Sequence, residues 1–229
     1  MSAKYIIHTC PERVWYVEKF LIPSMTAQGI DRGAIDVYCD ENHDGCLESC
    51  MRTFERMPDD DSGTWHMQDD VVISSRFREL TEEHDSGVVC GHCYSLHRDR
   101  LDAIGWVEPT QMWFSFPCIR IPNRIARGCA EYYRRVIVPD PQYSGWISAK
   151  RYDDTIFSVY MSFMQSREKV LNLVPNVVAH IDYLIGGTVC NAATKTVPET
   201  YFDEPERIEE LKAMLSKNPK NKKGGDRCV

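Results

Sequence analysis

The first 90 residues alternate between short apolar runs and longer segments in which apolar residues recur with helical spacing. The apolar runs predict strands at 5–9, 34–39, 65–70 and 87–90, and the segments between them predict helices at 11–28, 46–57 and 75–83. Alternation of this kind is typical of domains in which a parallel sheet is covered by helices on both faces. The sequence therefore predicts an α/β fold with a mainly parallel, twisted sheet flanked by helices.

The second half of the chain follows a less regular pattern. It predicts strands at 112–116, 118–121 and 170–174, and helices at 122–136, from Asp153 onward, and at 204–216. The first two of these strands would form a hairpin that turns near Pro117. Neither an internal repeat nor a shift in composition separates two domains, so we expect one domain over 1–216 and a basic, disordered tail over 217–229.

The charge of the chain limits the classes of partner. A net charge of −7 and an isoelectric point near 5.5 argue against a body built as a nucleic-acid-binding surface. The tail differs, because residues 217–227 hold four Lys and one Arg but only one Asp. A solubilising tail and a phosphate-contacting tail both fit that composition.

The sequence shows no segment that resembles a signal peptide or a membrane span. Residues 1–5 lead directly into a short strand, and no apolar run approaches the roughly 18 residues that cross a bilayer. We therefore expect a cytoplasmic protein without membrane contact, in the host cytoplasm if the protein is viral. Most of its 10 Cys should then be reduced, buried thiols.

Two adjacent carboxylates, Asp69 and Asp70, stand between the apolar runs 65–67 and 71–73. We call these two residues the acid pair. Solvated Asp pairs usually occur in polar loops, so a position at the end of a buried strand needs a reason. Carboxylate oxygens at the carboxyl end of a strand are suited to Mg²⁺ or Mn²⁺ that binds a diphosphate. The alternative is a simple cap on the strand end.

Three motifs follow one another along the chain: Gln68-Asp69-Asp70 after a strand, Tyr152-Asp153-Asp154-Thr155 at a helix start, and Pro-Asn-Val-Val-Ala-His-Ile-Asp at 175–182. In this order they resemble the GT-A class of nucleotide-sugar glycosyltransferases, most of all its small bacteriophage and bacterial members. The resemblance extends over residues 5–191. It implies a single GT-A-like domain that transfers a hexose from a nucleotide diphosphate sugar to an acceptor hydroxyl.

The resemblance assigns the metal site to two residues. Asp70 would be a direct ligand, and His180 would supply a nitrogen ligand, which suits Mn²⁺ better than Mg²⁺. Asp69 would reach the metal through water or contact the ribose. Gln68 stands where the class has a leading acid, so its contact with the donor would differ from the usual one. The metal would act as a Lewis acid that neutralises the charge of the departing diphosphate.

Asp153 and Asp154 would serve the acceptor side of the reaction. Direct displacement at the anomeric carbon needs a base for the proton of the acceptor hydroxyl, and a carboxylate at a helix start is held rigidly. We expect Asp153 to be that base, with Asp154 as the second choice, and the sugar configuration to invert. An ordinary helix cap would place the same residue types here.

Further contacts with the nucleotide sugar are expected at strand ends. Arg13 would pair with the diphosphate or the nucleobase, and His8, near the end of the first strand, would face the same ligand. Asp40 would hold the nucleoside, although Asp at strand ends is also ordinary turn chemistry. The acceptor could be a hydroxymethylated pyrimidine in DNA, contacted by the tail and by the Arg-bearing helix 122–136. A glycan, a protein or a small molecule is the alternative acceptor.

A competing hypothesis starts from Cys90-Gly91-His92-Cys93. This C-x-x-C spacing lowers the pKa of a thiol when it opens a helix, as in disulfide oxidoreductases. With His84 and His97 nearby it could instead hold structural Zn²⁺, although the chain contains no second C-x-x-C. Two thiols at the end of a buried strand are the third account of this segment.

Overall fold

The computed structural model describes residues 4–92, 105–107, 116–143, 153–164, 170–185 and 202–216. Its strands are β1 (Lys4–Thr9), β2 (Ile35–Cys39), β3 (Gly63–Gln68), β4 (Val71–Ile73), β5 (Val88–Cys90), β6 (Gly105–Val107), β7 (Cys118–Pro122), β8 (Val170–Asn172) and β9 (Val178–His180). Its main helices are α1, which passes through Val14–Tyr16, Val17–Leu21 and Ile22–Ala27, then α2 (Cys46–Arg56), α3 (Phe77–Glu83), α4 (Asn123–Tyr132), α5 (Asp153–Met164), α6 (Asp182–Ile185) and α7 (Pro205–Ser216).

Within the described residues the main sheet has seven strands, in the order β2-β1-β3-β7-β5-β8-β6. β1 pairs in parallel with β2 and β3, and β5 pairs in parallel with β8. β7 and β6 run antiparallel to their neighbours. Five of these seven strands therefore point the same way. The predicted α/β fold, with a mainly parallel sheet flanked by helices, is confirmed.

Helices cover both faces of this sheet because the strands are apolar on both sides. Along β1, Tyr5 and Ile7 enter one core and Ile6 enters the other. The first core lies under α1, α3 and α7, and the second lies under α2, α4 and α5. Removal of this apolar surface from water is the main force that holds the layers together. None of the described helices combines the length and the apolar character that a bilayer crossing requires.

The first helix forms where the sequence predicts it. The buried residues Val17, Leu21 and Met25 recur every four positions and face the first core. The chain leaves the helix at Gly29, whose φ of +83° is a left-handed conformation that glycine adopts without a steric penalty. At the other end of the helix, Arg13 directly precedes its first residue and follows the end of β1 by four positions.

Some predicted elements differ in extent. The strand predicted at 65–70 ends at Gln68, and β4 then leaves the main sheet to pair antiparallel with β9. The strand predicted at 170–174 ends at Asn172. The helix predicted at 122–136 starts at Asn123 and continues through Tyr133–Ile137 in π-helical turns. The strand predicted at 112–116, and with it the hairpin, falls largely outside the described residues.

Candidate active site

The carboxyl ends of β1, β2 and β3 meet at one edge of the sheet. In the parallel register His8 lies beside Gln68, so the residues that follow each of them, Thr9 and Asp69, are neighbours. The backbone N–H of Asp40, after β2, donates to Thr9 O at 2.8 Å. This edge is where open α/β sheets bind ligands. The structure therefore brings the predicted donor-side residues to one place.

The acid pair is buried and is held by one guanidinium. Asp69 is 0% exposed and Asp70 is 7% exposed. Arg13 lies between them, with Nη2 2.9 Å from Asp69 Oδ1 and Nη1 3.0 Å from Asp70 Oδ2. Thr9 donates a hydrogen bond to Asp69 Oδ2 at 2.6 Å. Arg13, which we expected at the donor, thus contacts the acid pair.

The two acids differ in pKa because their surroundings differ. Burial would raise the pKa of Asp70, but the charges of His180 and Arg13 outweigh it and hold that pKa well below its usual range. For Asp69, burial and the neighbouring Asp70 carboxylate outweigh the attraction of Arg13 and raise the pKa to about 6. Asp70 is thus the stronger acid of the two and loses its proton at a lower pH than Asp69.

His180 reaches Asp70 because β4 and β9 pair directly beyond the acid pair. In their antiparallel register Val71 lies opposite His180, and the backbone N–H of Ile181 donates to Asp70 O at 2.8 Å. The imidazole Nε2 then lies 3.3 Å from Asp70 Oδ2. The structure therefore brings together the two side chains that the resemblance assigns to the metal.

The donor set fits a divalent cation that is shared between protein and ligand. In the described part of the chain, no group of three or more His, Cys, Asp or Glu side chains could hold a metal ion by itself. Asp70 Oδ1 is buried and has no hydrogen-bond partner among the described residues, so one carboxylate oxygen is available. One carboxylate and one imidazole would leave positions for diphosphate oxygens and water, which is the usual way such cations bind nucleotides.

Asp153, the predicted base, contacts the residue that precedes the acid pair. It is the first residue of α5 and is 6% exposed. Its Oδ2 accepts a hydrogen bond from Gln68 Nε2 at 3.3 Å and another from the Cys46 thiol at 3.1 Å. Because Gln68 directly precedes Asp69, this contact joins both ends of the predicted site in one polar cluster. Gln68, which we expected at the donor, contacts Asp153 in this structure.

Asp154 is half-buried and has a different environment. Its Oδ1 accepts a hydrogen bond from the backbone N–H of Thr155 at 2.6 Å, and its own N–H donates to Asp153 Oδ1 at 3.0 Å. Burial and the charge of Asp153 raise the pKa of Asp154 to about 6. These bonds satisfy backbone groups at the start of α5, as a helix cap would. A carboxyl group that titrates near neutral pH is also suited to accept a proton.

Asp40 closes the loop that leads from β2 to α2. Its Oδ1 and Oδ2 accept hydrogen bonds from the backbone N–H groups of Asp44 and Gly45, each at 3.0 Å. Burial would raise the pKa of Asp40, but these two bonds lower it below its usual value. Gly45 is placed to donate by a φ of +95°, which other residues rarely adopt. Both oxygens of Asp40 therefore serve the turn, and a contact with the nucleoside stays a prediction.

His8 is 5% exposed and packs inside the sheet layer. Its Nδ1 lies 3.2 Å from Nε2 of His66, and the two rings meet edge to face. Burial lowers the pKa of His8, so the ring is neutral at physiological pH. In this structure the His8 ring contacts His66, and its contact with the donor stays a prediction.

Two members of the cluster, Thr9 and Cys46, were not predicted from the sequence. The parallel register of β1 and β3 is the signal that would have found Thr9, because residues that follow paired positions are themselves neighbours. No local pattern marks Cys46. Its contact with Asp153 depends on how α2 packs against α5, which is a property of the folded chain.

The Arg residues predicted as phosphate contacts on helix 122–136 are paired with carboxylates. The pairs are Arg124 with Asp61 at 3.8 Å, Arg127 with Asp59 at 3.6 Å, Arg134 with Glu48 and Glu55 at 2.7 Å each, and Arg135 with Glu131 at 3.0 Å. Binding to DNA draws its strength from positive charges that neutralise phosphates. Since these charges are already compensated within the protein, this helix is a weaker phosphate surface than its sequence indicates.

The competing cysteine hypothesis concerns residues that the structure describes only in part. Cys90 is the last residue of β5 and is 0% exposed, and His92 is 1% exposed. Cys93 and His97 lie outside the described residues, so neither redox chemistry nor a zinc site is tested. Burial of Cys90 at the end of a strand agrees with the third account for that one thiol, and the account of both thiols stays a prediction.

No protein-family model matches the chain, and no curated protein matches it in sequence. Among solved structures, the chain is similar in fold to the galactosyltransferase LgtC, in complex with donor and acceptor sugar analogues. The two share 13% sequence identity, with a TM-score of 0.45, over 93% of this chain and 96% of LgtC. A likeness of this size concerns the fold alone and does not extend to substrate or activity.

Proposed function

We propose that the chain is a metal-dependent nucleotide-sugar glycosyltransferase of the GT-A class, which moves a hexose to an acceptor hydroxyl. One observation carries the proposal: Gln68 Nε2 donates to Asp153 Oδ2 at 3.3 Å, so the acid pair and the acidic start of α5 belong to one cluster. A group that binds a diphosphate and a group that accepts a proton would thereby flank the same small volume. Direct displacement requires such proximity of its reacting groups.

The donor would bind at the edge formed by β1, β2 and β3. Asp70 and His180 would hold Mn²⁺, or Mg²⁺ in its place, together with the diphosphate oxygens. The cation would act as a Lewis acid that stabilises the leaving diphosphate. Asp69, which is hydrogen-bonded by Thr9, would contact the ribose or a bound water. Burial of the acid pair strengthens each of these electrostatic contacts.

Asp153 would act on the acceptor. The acceptor oxygen forms the new bond to the anomeric carbon as the bond from that carbon to the diphosphate breaks, and the hydroxyl proton passes to the Asp153 carboxylate. The electron pair of the broken bond leaves with the diphosphate. A single displacement of this kind inverts the sugar configuration. The hydrogen bonds from Gln68 and Cys46 would keep Asp153 oriented for this step.

For the acceptor we keep a hydroxymethylated pyrimidine in DNA as the first hypothesis and a glycan, a protein or a small molecule as the alternative. The DNA hypothesis depends on the basic residues of 217–227. It draws little support from the Arg residues near α4, because those are paired with carboxylates.

The test is a screen of nucleotide sugars with Mn²⁺, with and without hydroxymethylated duplex DNA, in which release of the nucleotide diphosphate is measured. Asp153→Asn should slow transfer by roughly two to four orders of magnitude and leave donor binding unchanged, because it removes the base but keeps the shape. Asp61→Asn, at a side chain that is 96% exposed, is the matched control.

Each other outcome has a defined meaning. Loss of transfer in Asp154→Asn but not in Asp153→Asn would show that Asp154, and not Asp153, is the base. Wild-type rates in both variants would leave the two residues as a helix cap and refute the mechanism. Failure of the wild-type protein to turn over any nucleotide sugar would refute the proposed function.

A further inference from the structure

Arg13 is placed as a cation at the centre of the acid pair. Its guanidinium makes one ion pair with each carboxylate, at 2.9 Å to Asp69 and 3.0 Å to Asp70. The Arg13 side chain is 11% exposed, so water contributes little to its solvation. Two adjacent buried carboxylates repel each other unless a positive charge lies between them. Arg13 supplies that charge in the protein without a ligand.

The geometry also shows what the guanidinium leaves unsatisfied. Arg13 Nε and Asp70 Oδ1 are both buried without a hydrogen-bond partner among the described residues. A buried polar atom without a partner raises the free energy of the state that contains it. The guanidinium therefore holds the two acids together but leaves Asp70 Oδ1 without a partner in the described part of the chain. A cation that binds this oxygen as well would use the acid pair more fully than Arg13 does, which favours exchange of one cation for another.

We infer that Arg13 and a divalent cation are alternative occupants of the acid pair, so that metal binding displaces the Arg13 guanidinium. The inference deepens the proposed function and rests on its assignment of Asp70 to the metal. A cation bound to Asp70 Oδ1 would lie close to the guanidinium whose Nη1 contacts Oδ2, so the two positive charges would repel each other. The displaced guanidinium would remain at the same edge of the sheet, because α1 fixes the Arg13 backbone just beyond β1.

Exchange of this kind couples the metal to the donor. A planar guanidinium can donate two parallel hydrogen bonds to a phosphate group, just as it does to a carboxylate group. A nucleotide diphosphate would give the displaced Arg13 a new partner, so the donor should tighten metal binding and the metal should tighten donor binding by the same factor. Arg13 would thus be a positioning residue. As long as no nucleotide sugar is bound, it would keep the affinity of the site for the metal low.

The test measures Mn²⁺ binding to the full chain without any donor, from the loss of the free Mn²⁺ signal in electron paramagnetic resonance. Arg13→Gln should bind Mn²⁺ at least about tenfold more tightly than the wild type, because the competing charge is gone. The Mn²⁺ affinity of Arg13→Lys should lie between those of the wild type and Arg13→Gln, since an ammonium group carries the charge but cannot contact both carboxylates as a planar guanidinium does. Arg76→Gln, at an exposed Arg paired with Glu79, is the matched control and should bind as the wild type does.

Arg13→Lys keeps the test decisive if Arg13→Gln folds poorly, because it retains a positive charge beside the acid pair and should still bind Mn²⁺ more tightly than the wild type. Methylguanidinium added to Arg13→Gln should weaken its Mn²⁺ binding, whereas tetramethylammonium at the same ionic strength should not. Equal or weaker Mn²⁺ affinity in both Arg13 variants would overturn the inference, as would the absence of Mn²⁺ binding in every protein tested. Because no donor is present, these results are independent of whether any nucleotide sugar is turned over.

Discussion

Asp154 offers the sharpest test of the electrostatics of the site, through stability rather than catalysis. Burial and the charge of Asp153 raise its pKa from 3.8 to about 6 in the folded protein. Between these values the folded protein holds a proton that the unfolded chain has lost, so stability falls as pH rises from about 4 to 6 and is then constant. A shift of about two pKa units corresponds to about 3 kcal/mol.

Asn cannot ionise and keeps the size of the side chain, so Asp154→Asn should remove this penalty. We expect the free energy of unfolding to increase by up to about 3 kcal/mol at pH 8, and by progressively less toward pH 4.5. Urea denaturation followed by circular dichroism at a series of pH values measures the difference directly. Asp61→Asn serves again as the control, and its effect should be small at every pH.

Two outcomes would refute this reasoning. A stabilisation of the same size at all pH values would show that the carboxylate charge is not the cause. Destabilisation at pH 8 would show that the extra strength of the Thr155 hydrogen bond to an ionised Asp154 Oδ1, compared with the bond to an Asn oxygen, outweighs the cost of burying the charge.

Two further predictions concern the metal and the tail. Asp70→Asn should remain folded but lose most transfer activity and most Mn²⁺ affinity in the presence of donor, because removal of a direct ligand costs several kcal/mol of charge stabilisation. Wild-type affinity in a Mn²⁺ titration would contradict the assignment of Asp70 to the metal. Deletion of 217–229 should leave donor hydrolysis unchanged. With a DNA acceptor it should weaken binding and reduce the slope of log affinity against log salt by up to about 4.5, because up to five phosphate contacts are lost. Transfer to hydroxymethylated duplex that is indifferent to the deletion and to salt would exclude the tail from acceptor binding.

Local patterns in the sequence predicted much of the fold. The four-residue spacing of Val17, Leu21 and Met25 predicted α1, because one face of a helix must be apolar to pack on a sheet. Strand ends were less predictable, as β3 shows. A second apolar run follows the acid pair, but the chain leaves the main sheet after Gln68 because β4 finds its hydrogen-bond partners in β9. Pairing between distant segments decides such boundaries, and no window of sequence contains both partners.

For the candidate site, too, some features follow from the sequence alone and others follow only from the tertiary structure. The sequence alone determined which residue types are present and that acids follow a buried strand and open a helix, because burial pattern and helix-start chemistry are local properties. Only the tertiary structure decided that His180 lies 3.3 Å from Asp70 and that Gln68 contacts Asp153. It also decided that the Arg13 guanidinium lies between the two carboxylates. Charge interactions inside a protein depend on distance and burial, and both arise only when separate strands and helices pack together.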